Sequence, residues 1–167
     1  GFAFLSLTQA ELVDVGVYRF LKLAEFVFLF FYVATRIHII GVRPVLWTFI
    51  ASGVFQSVLA ILQFAKQSSL GLEIFHESTL VLGMPGVAQI NAYGIDMIRA
   101  YGTFPSPNVL AGFLGICLIF CFYLFLANST GSDPVMFRKQ RILSVAIFLL
   151  SFAFLLSFSR GTIIFFV

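Results

Sequence analysis

Pro107-Asn-Val-Leu-Ala-Gly-Phe-Leu-Gly-Ile-Cys-Leu-Ile-Phe-Cys-Phe-Tyr-Leu-Phe-Leu-Ala127 is a run of 21 residues without a charge. At a rise of about 1.5 Å per residue, a helix of that length reaches about 31 Å and crosses the hydrocarbon of a bilayer. A membrane barrel needs alternating polarity, and that pattern is absent. The run therefore reads as a transmembrane helix.

The rest of the chain reads the same way. Of its 167 residues 60% are hydrophobic and only 10% charged, with 23 phenylalanines. Soluble domains carry about a quarter charged residues. We expect an all-α fold, a polytopic transmembrane helical bundle forming one membrane domain, with spans at about 14–37, 44–65, 107–127 and 141–158. A loop of about forty residues, 66–106, separates the second span from the third. Shorter loops fall at 38–43 and 128–140. The 66–106 loop is rich in glycine, and a mildly amphipathic piece around Leu70 to Leu82 is left undecided by its pattern. Apolar residues at both ends of the chain, Gly1 to Leu7 and Thr162 to Val167, suggest a segment of a longer protein with partial spans at each end. No cleavable signal peptide is recognisable.

The net charge of +3 is too small to argue for nucleic acid, but its distribution orients the chain. Lysine and arginine concentrate in the short loops on the cytoplasmic side of membrane proteins. Arg36 and Arg43 flank the first short loop, and Arg138, Lys139 and Arg141 the second. The long loop has Lys66 and Arg99, offset by Glu73, Glu77 and Asp96. The short loops are expected in the cytoplasm and the 66–106 loop outside.

Chemistry concentrates at the entry to the third span, in Arg99-Ala-Tyr-Gly-Thr-Phe-Pro-Ser-Pro-Asn108. Ser106 reads as an N-cap, with Pro107 in the first helical position. Free N–H groups and the positive dipole end at such a helix start attract anions. The expected topology puts Arg99 and Arg160 on the same outer face. Two guanidiniums beside a helix start suit a diphosphate, because arginine binds phosphate in a planar, bidentate way. Arg160 stands inside an apolar run, where a charge is costly and marks function or a structural partner such as Glu25. Arg99 has its own plain alternative, contact with lipid headgroups.

Other polar residues have both structural and functional readings. Glu11, Asp14, Tyr18, Lys22 and Glu25 form a stripe on the first span, suited to ion pairing within the bundle or to lining a polar path. Thr8 and Glu11 have capping-box spacing. Gln56 and Gln63 fit interhelical hydrogen-bond glue. Ala111, Gly112 and Gly115 fit close helix packing. Cys117 and Cys121, four apart on one helix, fit packed or lipid-facing thiols rather than a disulfide. His76 beside Glu73 and Glu77 is weak as a metal site, and His38 is expected in solvent. There is no Walker loop, Rossmann glycine pattern, zinc cluster or nucleophile elbow.

The Arg99–Asn108 stretch, with Val109-Leu-Ala-Gly-Phe-Leu114 after it, resembles the R-x-x-G-T-F-x-H-P-N signature of the O-antigen ligase and O-antigen polymerase superfamily. Leu156-Ser-Phe-Ser-Arg-Gly161 is similar to that family's later S-R-G element, and Gln63 suits its pattern at the end of the second span. The resemblance covers about residues 45–167, and the spacing of its two motifs by one helical hairpin gives it specificity. It implies a membrane glycosyltransferase of the bacterial cytoplasmic membrane that needs neither metal nor cofactor. Such enzymes transfer a glycan from an undecaprenyl-diphosphate carrier to a saccharide, lipid or protein acceptor on the outer face.

By that likeness Arg99 and Arg160 would bind the diphosphate; beside them Ser106 and Asn108 are candidate contacts from the helix start, and Lys22, Glu25 and Gln63 are candidates to line the substrate path. The sequence has Ser106 where the family has histidine. The family's acceptor-side histidine follows the region covered here, so this segment alone is expected to be inactive. Ligase and polymerase are not separated by these residues. A transporter or flippase of a lipid-linked or polar solute is the alternative, and a membrane scaffold without chemistry ranks below both.

Overall fold

The computed structural model describes residues 13–75, 77–92, 94–128 and 134–158. Among them are four long helices: α1 (Val13–Ile40), α2 (Val42–Lys66), α3 (Pro107–Ala127) and α4 (Pro134–Leu156). All four are long and apolar enough to cross a membrane. The chain is thus a multi-pass, helical membrane protein. It divides into two compact units, 1–45 and 46–167.

In the first unit, α1 ends where Gly41 takes a left-handed conformation, φ +80°. Its N–H donates to the Ile37 carbonyl at 2.8 Å. A side chain is disfavoured in this conformation, so glycine is the natural residue to stop the helix there.

In the second unit, α2 from Leu46 onward, α3 and α4 share one apolar core that includes Ile50, Leu110, Leu114, Cys117, Leu143 and Leu150. Gly53 makes the closest approach. A Cβ there would lie 2.8 Å from Cys117 Sγ and 2.9 Å from Leu150 Cδ2. The missing side chain lets α2 settle into the α3–α4 pair. Cys117 Sγ also donates to the Phe49 carbonyl at 3.3 Å, and the Phe49 and Phe120 rings meet edge to face at 5.5 Å. Both cysteines are free and buried, which selects packed thiols over lipid-facing ones. Ala111 and Gly115 are buried as small packing residues, but Gly112 is exposed and a Cβ there would meet nothing within 4 Å. The close approach expected at Gly112 belongs to Gly53.

Several expected boundaries shift. One helix runs to Ile40 and the next begins at Val42, so the loop expected at 38–43 shrinks to Gly41. The helix expected from Arg141 begins at Pro134, so most of the loop expected at 128–140 is helical. Proline suits a first helical turn, and Met136 and the polar Arg138, Lys139 and Gln140 are all good helix formers. The helix ends at Leu156, just before the expected limit of 158.

The long connection between α2 and α3 has structure of its own. A single 3-10 turn covers Glu73–Phe75, in place of a longer amphipathic piece. Strands β1 (Gln89–Ala92) and β2 (Ile95–Ile98) form an antiparallel hairpin, with Gln89 opposite Ile98 and Ala92 opposite Ile95. A two-residue connection with Gly94 at φ +80° fits a tight hairpin. Leu80, Ile98 and Tyr101 form a small buried cluster under this loop. The Tyr101 hydroxyl accepts from the Ala88 N–H at 2.6 Å, which fixes the ring.

Candidate anion site at the start of α3

The segment from Arg99 to Ser106 crosses one end of the second unit, where α2 and α4 finish and α3 begins. Two glutamines on α2, seven residues apart and therefore on one helix face, hold it there. Gln56 donates from Nε2 to Thr103 Oγ1 at 2.8 Å and accepts the Thr103 N–H at 3.0 Å. Gln63 accepts the Gly102 N–H at 2.7 Å and donates to the Gly102 carbonyl at 2.8 Å. It also accepts the Tyr101 N–H at 3.3 Å. Each amide thus uses both its donor and its acceptor on the loop. The expected interhelical glue is corrected to a clamp between helix and loop.

Gly102 is required by this clamp. Its φ is +62°, and a Cβ would lie 2.6 Å from Gln56 Oε1. Any other residue would combine a disfavoured backbone with a collision.

Gln63 also donates to Glu77 Oε1 at 2.8 Å. The Glu77 carboxylate accepts the N–H groups of Leu70 at 2.6 Å and Leu72 at 2.8 Å. Burial acts to raise its pKa, but these N–H groups, with those of Gln63 and Gly71, hold it below the usual carboxylate value. No cluster of three metal-ligating side chains occurs among the described residues. Glu77 organises the loop, and His76 lies outside the described residues.

Arg99 is fixed from two sides. Its Nε donates to the Ser157 carbonyl at 2.7 Å and its Nη2 to Asn108 Oδ1 at 2.9 Å. The Ala100 N–H donates to the Leu156 carbonyl at 3.3 Å. The guanidinium therefore bridges the last carbonyls of α4 and the first turn of α3. A cation at a helix C-terminus is electrostatically favoured, and Asn108 adds a directional contact that orients the fork.

Ser106 has extended backbone angles, φ −153° and ψ 151°, and its Oγ accepts the Val109 N–H. Pro107 occupies the first turn, as expected for this cap. Ser106, Asn108 and Arg99 thus gather at the positive end of the α3 dipole, and Gln63 supports them through Gly102. Chemically, this is a pre-oriented guanidinium beside a helix start, an arrangement suited to a phosphate or diphosphate.

Not every expected residue joins the cluster. Lys22 and Glu25 belong to the first unit and form an exposed ion pair within α1, at 2.9 Å. Lys22 also lies 5.8 Å from the Tyr18 ring centre. Arg160, the Thr8–Glu11 capping pair and the side chain of Asp14 lie outside the described residues. Ser157, absent from the expected site, supplies the carbonyl that holds Arg99. Its signal was its place in Ser157-Phe-Ser-Arg160, three positions before the second arginine. Comparison with protein-family models, curated proteins and solved structures returns no match.

Proposed function

We infer that this chain carries the donor-binding part of a membrane glycosyltransferase similar to O-antigen ligases and polymerases. The substrate is a glycan on an undecaprenyl-diphosphate carrier, taken at the outer face of the bacterial cytoplasmic membrane. The acceptor is a saccharide, lipid or protein hydroxyl. One observation carries the reading: Arg99 and Asn108, the two ends of the signature stretch, meet through a side-chain hydrogen bond. That contact holds the guanidinium at the α3 N-terminus, next to the α4 end that leads in sequence to Arg160.

The roles follow from charge. As the glycosidic bond breaks, negative charge grows on the departing lipid diphosphate. A guanidinium already oriented by Asn108 and Ser157 stabilises that charge without reorganising. Arg160, Ser106 and the α3 dipole act on the same anion. A base must take the acceptor proton, and none is assigned to these residues. No metal or cofactor enters this reading.

The test is transfer from a polyprenyl-diphosphate glycan by the full-length protein in liposomes. Arg99→Ala and Arg160→Ala are each expected to lower the transfer rate by about 10²–10³, while membrane insertion persists. Transfer retained by both variants would sink the proposal. Movement of carrier lipid without transfer would favour a transporter instead.

A further inference from the structure

On one flank of the second unit, α2 and α4 leave a groove of about 540 Å³ between them, walled almost entirely by carbon. The C-terminal halves of both helices are tied to residues 99–103, so the two helices run in parallel. Trp47 and Arg141 therefore share one end of the groove, and Val54 and Leu149 the other. The Trp47–Arg141 end is the one opposite the candidate anion site. We propose that the groove binds one acyl chain of an anionic glycerophospholipid, with the lipid phosphate against Arg141 and Arg138.

Length argues for a lipid chain rather than another helix. Seven steps from Trp47 to Val54 and eight from Arg141 to Leu149 span about 10–12 Å at the helical rise. One leaflet contributes about 15 Å of hydrocarbon, half of a core about 30 Å thick. The groove thus covers most of one leaflet. A spanning helix would need a track about twice that depth.

Charge selects the headgroup. Arg138 lies one turn before Ile142 and continues the stripe of Ile142, Val145 and Leu149 past the mouth of the groove. Arg138 and Arg141 are both exposed. Neither α4 nor α2 from Leu46 onward carries a carboxylate. Trp47 at the same level is the residue type that anchors at the headgroup boundary. Basic positions between helices at that boundary recruit anionic headgroups.

Trp47 is the chain's single tryptophan and reports occupancy directly. The full-length protein is placed in nanodiscs containing phosphatidylglycerol or phosphatidylcholine with brominated acyl chains, which quench nearby indole. Subtracting the Trp47→Phe variant isolates this one signal. Brominated phosphatidylglycerol is expected to reach half-maximal quenching at about fivefold lower mole fraction than brominated phosphatidylcholine. The double variant Arg138→Gln, Arg141→Gln should bring the two curves together, and Ala51→Phe, which fills the wall, should weaken quenching by both. Equal curves in the unaltered protein, or a preference that survives the double variant, would overturn the proposal. So would quenching that ignores Ala51→Phe, or none at all, which would mean that protein covers the groove.

Discussion

At the Leu156 end of α4, Gln56, Gln63 and Ser157 are buried and bonded into the loop that delivers Arg99. At the Pro134 end, Arg138, Lys139 and Arg141 stand exposed beside a groove lined by carbon. The same three helices thus finish in two ways. One end uses amides, which offer a donor and an acceptor on one rigid plane and can fix a backbone segment. The other uses long cations, which keep their charge in water while their stems cover apolar surface. Buried amides specify a single loop geometry, whereas exposed cations leave the partner open and select only its sign.

The largest loss should come from breaking the amide end. Gln63→Leu leaves the Gly102 N–H and carbonyl buried without their partner, at about 1–3 kcal/mol for each unsatisfied group. Thermal unfolding in detergent should show a clear drop in midpoint. Arg99-dependent activity should fall with it, because the loop loses its register. Removing an exposed cation at the opposite end should leave the midpoint unchanged.

Gly53 tests the packing that joins the two ends. Gly53→Val places a side chain against Cys117 and Leu150 at distances no real contact tolerates, and overpacking of this kind costs about 1–3 kcal/mol. The same substitution at Gly112, which faces open space, should be close to neutral. A similar loss at both positions would mean that glycine flexibility, not close approach, matters in these helices.

The smallest effect sharpens the polar end further. Because the Glu77 carboxyl sits below its ordinary pKa of 4.5 in the folded loop, it stabilises the loop fully above that value. The contribution fades as pH falls through the folded value. The hydrogen-exchange protection of the Leu70 and Leu72 amides, taken relative to their intrinsic exchange rate at each pH, should fall on acidification. Glu77→Gln should show lower protection at neutral pH and lose its acid-dependent fall.

The spans were legible in the sequence because about twenty apolar residues in a row have few other uses. The Ser106–Pro107 start of α3 was legible too, since cap and proline act locally. The start of α4 was not. The Pro134–Gln140 stretch opens on proline and closes on Arg138-Lys139-Gln140, so it looks like a loop, yet the polar residues there only place a helical turn outside the hydrocarbon. The hairpin at 89–98 was missed because two four-residue strands around a glycine give a faint signal within a long loop. Gln56 and Gln63 stood out as amides among apolar residues. Their partners at Tyr101, Gly102 and Thr103 lie 38 to 47 positions away, and no local pattern announces a contact of that range.

Cys117 and Cys121 are sealed in the core, both wholly inaccessible, with Gly53 of α2 pressed against the first. A thiol reagent reaches them only when the helices of this core part. The pair is thus a built-in clock for that opening: the rate of alkylation in a membrane counts how often the helices part, without any label being engineered into the protein.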